Sequence, residues 1–454
     1  MMSIIKKIVE APAEALDKSV ETLKKTVNTI FSKEPLHGPV RYWKMLGPGL
    51  TTGAADDDPS GIATYSQTGA QYGFRFLWLA VLTFPLMAIV QEMCARIGLV
   101  SGQGLAANIK DHFSRRVLYI STALLFAANA FNIGADLGAM AKVCQLLAPR
   151  ASFALLIIFF AVVSLLLQIF TTYERYARYL KYLALILLSY VATGLVITLD
   201  WPQVLQYAIT PSFAFTKDQF FIIMAVLGTT ISPYLFFWQT SQEVEEEILS
   251  GKINIQDRLG AGRGDIARMR TDVWSGMFIS NVVMFFIIAV CAATLFSHGI
   301  SNINTAADAA AALRPLAGEK AYILFALGVI GTGLLALPVL AGSASYAIAE
   351  SFSWEQGLYR KLHEAYAFYG ILIIAMLVGL VINFIHLDPI KALIYSAVAN
   401  GFVAPVILVL IVLLSSNKKI MGEWVNTTFT QGLGWLITGL MILSGIGTVV
   451  ALFL

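Results

Sequence analysis

The chain has 454 residues, of which 57% are hydrophobic and 13% charged, and a formal net charge of +3. The charged share is about half the roughly 25% usual in soluble domains, and apolar runs of about 18 residues or more recur along the whole length, so a soluble multidomain enzyme is excluded. Cys94, Cys144 and Cys291 lack any paired spacing, which argues against a disulfide framework or a zinc site. The histidines His37, His112, His298, His363 and His386 fall in loops or at span ends, and the balanced charge gives no nucleic-acid footprint.

In chain order, residues 1–40 carry Ile8, Leu16, Val20, Leu23, Val27 and Ile30 at helical spacing among Lys6, Lys7, Lys18, Lys24 and Lys25. Pro12 opens the longer helix, and the pattern is that of an interfacial amphipathic helix, with a polar tail as the alternative. Apolar windows of about 20 residues then mark eleven spans. They centre near Asp58, Pro85, Asn132, Ala161, Ile186, Ile231, Met284, Leu334, Met376, Val406 and Leu443. The stretch Ser241 to Asp272, with Gly260, Gly262 and Gly264, lacks the preceding strand and following Lys-Ser/Thr of a phosphate-binding loop, so it reads as a solvated loop.

Eight basic residues precede the first span and sixteen fall on the even-numbered loops and their flanks, against seven on the opposite side. The positive-inside rule therefore predicts a cytoplasmic N-terminus and, after an odd number of spans, an external C-terminus.

The first span contains Ala55-Asp56-Asp57-Asp58-Pro59-Ser60-Gly61. One aspartate at the bilayer centre costs on the order of 2.5 to 3.5 kcal/mol, so three demand compensation. Pro59 removes a backbone donor and Gly53 and Gly61 permit unwinding, which would place freed carbonyls beside a carboxylate as a hard oxygen site for a cation. A second break is expected at Gly228-Thr229-Thr230-Ile231-Ser232-Pro233-Tyr234. Two such breaks, each followed by four spans, imply two five-span inverted repeats with the site between them; two ordinary proline kinks would leave the aspartates unexplained.

The remaining intramembrane polar groups are weaker signals. Asp136 fits a pathway lining or a structural acceptor. Glu92 and Arg96, four residues apart, are expected to pair. Asn281 and Asn400 are expected to form interhelical hydrogen bonds, with pathway lining as the alternative. Glu243, Glu245, Glu246 and Glu247 read as a solvated face that also attracts cations.

Gly47-Pro48-Gly49, Asp58-Pro59-Ser60-Gly61, Gly69-Ala70-Gln71-Tyr72-Gly73, Ala135-Asp136-Leu137 and Ser416-Asn417-Lys418-Lys419-Ile420-Met421-Gly422 together resemble the Nramp divalent-metal transporters, and more closely their Nramp-related magnesium-transporter branch. The resemblance implies an all-α membrane protein with a leucine-transporter-like fold: five plus five spans in inverted repeats, helices 1 and 6 broken, and an eleventh span at the periphery. The organisation would be a cytoplasmic segment at 1–40, repeat 1 at 41–215, repeat 2 at 216–422 and the peripheral span at 423–454.

Where the family carries Asp-Pro-Gly-Asn, this chain keeps Asp58 and puts Gly61 at the asparagine position; for Met-Pro-His it has Ser232-Pro233-Tyr234. The family's carbonyl ligand maps to Thr229. The soft thioether and one amide are thus absent, and the smaller Gly61 and Ser232 would leave room for water. Asp56 and Asp57 either bind water around the ion or face a vestibule.

Family acids of the third span map to Asn129 and Ala139, and the two sixth-span histidines to Tyr234 and Gln239, which leaves Asp136 as the remaining candidate proton carrier. The implied function is uptake of partly hydrated Mg2+ or Mn2+ across the plasma membrane by uncoupled alternating access, with metal as substrate and no cofactor. The alternatives are a proton-coupled transition-metal transporter and a sodium-coupled carrier of a small organic solute. A hydrolase using Asp57 and Asp58 is disfavoured because no nucleophile accompanies them.

Overall fold

The computed structural model describes residues 47–170, 188–214, 216–303, 306–314, 318, 321–385 and 387–453. The amphipathic segment 1–40 and the centre of the fifth span near Ile186 lie outside the described residues. Every regular element among the described residues is helical. The first span is two helices, α1 (Pro48–Asp56) and α2 (Pro59–Tyr72). There follow α3 (Leu77–Ser101), the short α4 (Leu105–His112), α5 (Arg115–Leu147), α6 (Phe153–Phe170), α7 (Leu188–Val196) and α8 (Trp201–Ile209). The second broken span is α9 (Lys217–Thr230) and α10 (Pro233–Leu249). The other long helices are α11 (Arg263–Thr294), α12 (Ala321–Phe352), α13 (Tyr366–Ile382), α14 (Pro389–Ser415) and α15 (Thr428–Phe453), with short helical turns between them.

Eight helical stretches among the described residues are long and apolar enough to cross a bilayer, and α13 is a shorter apolar helix. Large apolar side chains such as Leu155, Phe159 and Leu443 are exposed on the outside, while Asp56, Asp136, Asn129 and Gln239 are fully buried. That distribution is stable in lipid, where exposed apolar surface carries no penalty and polar groups are driven inward.

Two long helices frame the broken ones. α5 packs along α12, α13 and α14, and α11 packs along α1, α2 and α3. The α1–α11 contact depends on glycine. A Cβ on Gly49 would stand 2.6 Å from the Val273 backbone nitrogen, and one on Gly276 would stand 2.9 Å from Leu50 Cα. Gly53 belongs to the same contact, against the Gly276 backbone, and lies inside α1. It therefore lets two helices touch rather than letting the chain unwind, and Gly61 likewise sits within helical α2.

The sequence between Ser241 and Asp272 is less loop than its charge suggests. α10 runs on to Leu249 and α11 starts at Arg263, so glutamates with good helix propensity extend the sixth span. Glu243, Glu245 and Glu247 are buried rather than solvated. The Glu245 carboxylate accepts from the Tyr346 hydroxyl and from the backbone N–H groups of Leu358 (2.7 Å) and Tyr359 (3.1 Å), which ties α10 to α12 and the turn after it. Glu92 lies 3.6 Å from Arg96 but is held more closely by Arg270 (2.8 Å) and by Trp274 Nε1 (2.8 Å), so its main partner is α11. Arg96 turns instead to the Asn426 amide oxygen. Asn281 does bond between helices, accepting from Thr83 Oγ1 at 3.1 Å. Asn400 does not: its amide is fully buried with neither atom partnered.

Candidate metal-ion site

Proline decides both breaks. In a continuous helix the Ala55 carbonyl would accept from residue 59 and the Thr229 carbonyl from residue 233, but both of those residues are prolines without an N–H. The chain recovers the two orphaned carbonyls with side chains. Tyr234 donates its hydroxyl to the Ala55 carbonyl at 2.8 Å, across the two breaks. Ser232 donates to the Thr229 and Gly228 carbonyls, each at 2.7 Å. Pro59 and Pro233 then open α2 and α10 at their first turns, where a missing N–H costs nothing.

Asp58 is the N-cap of α2. Its backbone is extended (φ −65°, ψ 173°), and Oδ1 accepts from the Gly61 N–H at 2.7 Å and from Ser60 Oγ at 2.6 Å. Oδ2 accepts from Asn132 Nδ2 at 2.9 Å. Ser396 of α14 donates to Asn132 Oδ1 at 2.7 Å, which orients the amide so that it donates toward Asp58. Ser60 Oγ and Thr229 Oγ1 are in contact at 3.3 Å. One line of hydrogen bonds thus joins α14, α5, the first break and α9 through the Asp58 carboxylate.

The neighbouring acids are less satisfied. Asp56 Oδ2 accepts from Ser280 of α11 at 2.8 Å, while Asp56 Oδ1 and both oxygens of Asp57 have no hydrogen-bond partner. Asp56, Asp57, Asp58, Thr229 and Ser232 are each at most 1% exposed. Among the described residues no Lys or Arg pairs with the three aspartates. Three contiguous buried carboxylates without a counter-charge call for a cation. Among the described residues no three Asp, Glu, His or Cys side chains are grouped to hold a bare ion. Carbonyls, hydroxyls and water must therefore supply the rest of any coordination.

The other residues divide. Asn129, Asn132 and Asp136 follow one another at i, i+3 and i+7 on one face of α5. Asn129 donates to the Leu340 carbonyl (2.9 Å) and Ser343 Oγ (2.8 Å), so it links α5 to α12. Asp136 is fully buried with both oxygens unpartnered, one turn beyond the amide that holds Asp58. Gln239 donates to Glu243 Oε1 at 2.8 Å, further along α10.

Gly61 leaves no void of its own, since a Cβ there would meet the Asp56 carbonyl at 3.1 Å and Thr229 Oγ1 at 3.4 Å. A larger residue at 61 would therefore crowd the break, and Ser232 is folded back on its own carbonyls. Asn132, Ser60, Ser280 and the Ala55 carbonyl are the contributors that the pattern of charges does not single out. The i, i+3, i+7 spacing of Asn132 with Asn129 and Asp136 is the signal that could have found the first of them.

The outer ends of the broken first span are tethered as well. Asp272 of α11 accepts from the N–H groups of Gly47 (2.7 Å), Gly49 (2.7 Å) and Leu50 (3.2 Å), capping α1. At the far end of α2, Gln67 donates to the Ser301 carbonyl (3.2 Å) and accepts from the Ile303 N–H (2.9 Å).

The sequence profile described as natural resistance-associated macrophage protein-like (Nramp) matches residues 49–451. The chain belongs to the Nramp family. It is accordingly a multi-pass membrane transporter and not an enzyme. Among curated Nramp relatives, the divalent metal cation transporter MntH of Klebsiella pneumoniae is 25% identical over 411 residues, covering 88% of this chain and 92% of that one. Its namesake in Aeromonas hydrophila is 26% identical over 427 residues, covering 89% and 95%. The manganese transporter of Eremococcus coleocola superposes with a TM-score of 0.71 at 19% identity, covering 91% of this chain and 88% of that one. Mhp1, a nucleobase-cation-symport-1 family transporter, gives 0.55 at 16% identity, covering 89% and 91%. These two structural likenesses show that the fold is the one shared by Nramp and leucine-transporter-like carriers.

Proposed function

We propose that this chain takes up divalent metal cations, Mg2+ and Mn2+ foremost, in partly hydrated form and by uncoupled alternating access. The observation that carries the reading is the Asp56-Asp57-Asp58 cluster, buried without a counter-charge among the described residues, beside the Thr229 carbonyl that Pro233 releases from the helix and Ser232 holds, and the hydroxyls of Ser60, Thr229 and Ser232. Such a set is all oxygen, which suits hard cations that keep part of their water; a thioether or imidazole, which would favour softer metals, is absent from the run Gly228 to Tyr234. That curated relatives are divalent metal cation transporters supports the substrate class. Asp58 would attract the ion, directly or through one water, with Asp56 and Asp57 holding its hydration shell; Gly61 and Ser232 would shape the site, and Asp136, Asn129, Tyr234, Gln239 and Asn400 would line the route. The test is flux into liposomes under an inside-negative potential. Mg2+ and Mn2+ should both enter in proportion to the voltage, and uptake requiring Na+ together with an amine or carboxylate would replace this reading with the organic-solute one.

The orientation proposed is N-terminus inside and C-terminus outside, in the plasma membrane, which for a prokaryote is the inner membrane. The repeats proposed are 41–215 and 216–422, with 423–454 peripheral to them. A cysteine placed at Arg263, at the exposed start of α11, should resist an impermeant thiol reagent added outside intact cells and react once the membrane is opened. Labelling from outside would invert the topology.

A further inference from the structure

The charged end of α5 opens onto a row of exposed rings. Tyr119 of α5, Phe352 at the end of α12 and Trp354 just beyond it are 44%, 50% and 44% exposed. They stack nearly parallel, with centroids 5.8 Å apart at 23° and 4.9 Å apart at 22°. Ser353, between the last two, takes a left-handed backbone (φ 56°), and its hydroxyl accepts from Lys110 Nζ of α4, which ties the row to the bundle. In water such rings would form an aromatic patch without a partner, whereas the boundary between lipid and water suits their apolar faces and polar edges.

Arg115 and Arg116 lie one turn before Tyr119 on the same side of α5. Both are exposed, and among the described residues neither pairs with a carboxylate. Lys110 adds a third positive charge, and Asp111 is the one acid from 110 to 119. Beyond Tyr119 the same helix exposes Ile120 and Leu124. From Arg115 to Leu124 the surface thus passes from charged through aromatic to apolar over about 14 Å, at about 1.5 Å per residue. A phospholipid presents its phosphate, glycerol and acyl chains in that same order.

We propose that this surface, formed by α4, α5 and the end of α12, binds one anionic phospholipid of the bilayer, with its phosphate against Arg115, Arg116 and Lys110 and its glycerol region along the row of Tyr119, Phe352 and Trp354. Charge selects the partner. An anionic headgroup meets three cations with one acid among them, whereas a zwitterionic headgroup brings an ammonium of its own and gains less. Because α5 packs along α12, α13 and α14, a lipid held at its end sets the depth of the frame against which the broken helices sit. Lipid binding here is independent of what is carried; its place in the inner leaflet rests on the orientation proposed above.

Native mass spectrometry of the full-length protein, released from detergent containing equal amounts of phosphatidylglycerol and phosphatidylcholine, tests it. The wild type should retain one phosphatidylglycerol in preference to phosphatidylcholine. Arg115→Gln/Arg116→Gln should lower that preference roughly thirtyfold. Arg263→Gln/Arg268→Gln, which removes two exposed arginines from the start of α11, should leave it unchanged. Trp354→Leu should weaken retention of both lipids alike, and millimolar inorganic phosphate should displace neither. Equal retention of the two lipids by the wild type overturns the proposal. So does an equal loss from both arginine pairs, which would reduce the effect to the charge of that side as a whole. Displacement by inorganic phosphate would assign the arginines to a free anion and overturn the lipid reading. Should Arg115→Gln/Arg116→Gln not fold, unchanged retention in Trp354→Leu overturns the site by itself.

Discussion

Asp58→Ala should reduce metal uptake to background while the protein still inserts and folds. The substitution removes a charge from a site where Asp58 is 1% exposed, and a buried charge of this kind is worth about 3 kcal/mol to a cation, or roughly a hundredfold in occupancy. It also strips the N-cap from α2 and leaves the donors of Ser60, Gly61 and Asn132 without their acceptor. That part should cost about 0.5 to 2 kcal/mol of stability. Asp58→Asn separates the two effects, because asparagine caps helices nearly as well as aspartate and yet carries no charge. Uptake should be lost in both variants, with Asp58→Asn melting closer to the wild type. Wild-type uptake in Asp58→Asn, measured in liposomes at equal protein density, would remove Asp58 from the transport mechanism.

The features legible in the amino-acid sequence are those that depend on local chemistry: apolar length, an aspartate where lipid forbids it, and proline where an N–H is required. Pro59 and Pro233 therefore mark both interruptions, and the helices end where those prolines begin new ones. Reading Gly53 and Gly61 as points of unwinding fails, since a glycine's value here lies in what another helix does. Gly53 meets the backbone of Gly276, more than two hundred residues away. The run Glu243 to Glu247 misleads for a related reason. Its charge suggests solvent, but Tyr346 and the N–H groups of Leu358 and Tyr359 hold Glu245, and Lys252 pairs with Glu247, inside the bundle. Asn132 escapes notice because a single amide in an apolar helix is most often a helix–helix bond; only the position of the Asp58 carboxylate gives it a specific role.

Metal entry should proceed without proton entry. Under clamped voltage, internal pH in liposomes loaded with a pH dye should stay constant as Mn2+ or Mg2+ accumulates. The membrane potential alone suffices, since two charges at about 100 mV are worth roughly 4.6 kcal/mol, an accumulation on the order of a thousandfold. Of the residues that stand in for proton carriers, Ala139 has no polar group and the other three are engaged elsewhere in the bundle. Asn129 links α5 to α12, Tyr234 spends its hydroxyl on the Ala55 carbonyl, and Gln239 holds Glu243. None of the three titrates in the physiological range. Asp136 is the exception, a buried carboxylate with two unpartnered oxygens one turn from Asn132. Acidification in step with metal uptake would make it the first carrier to suspect, and Asp136→Asn should then abolish the proton flux. A wild-type protein that moves no protons should show unchanged internal pH in both forms, with Asp136→Asn slowing only the metal.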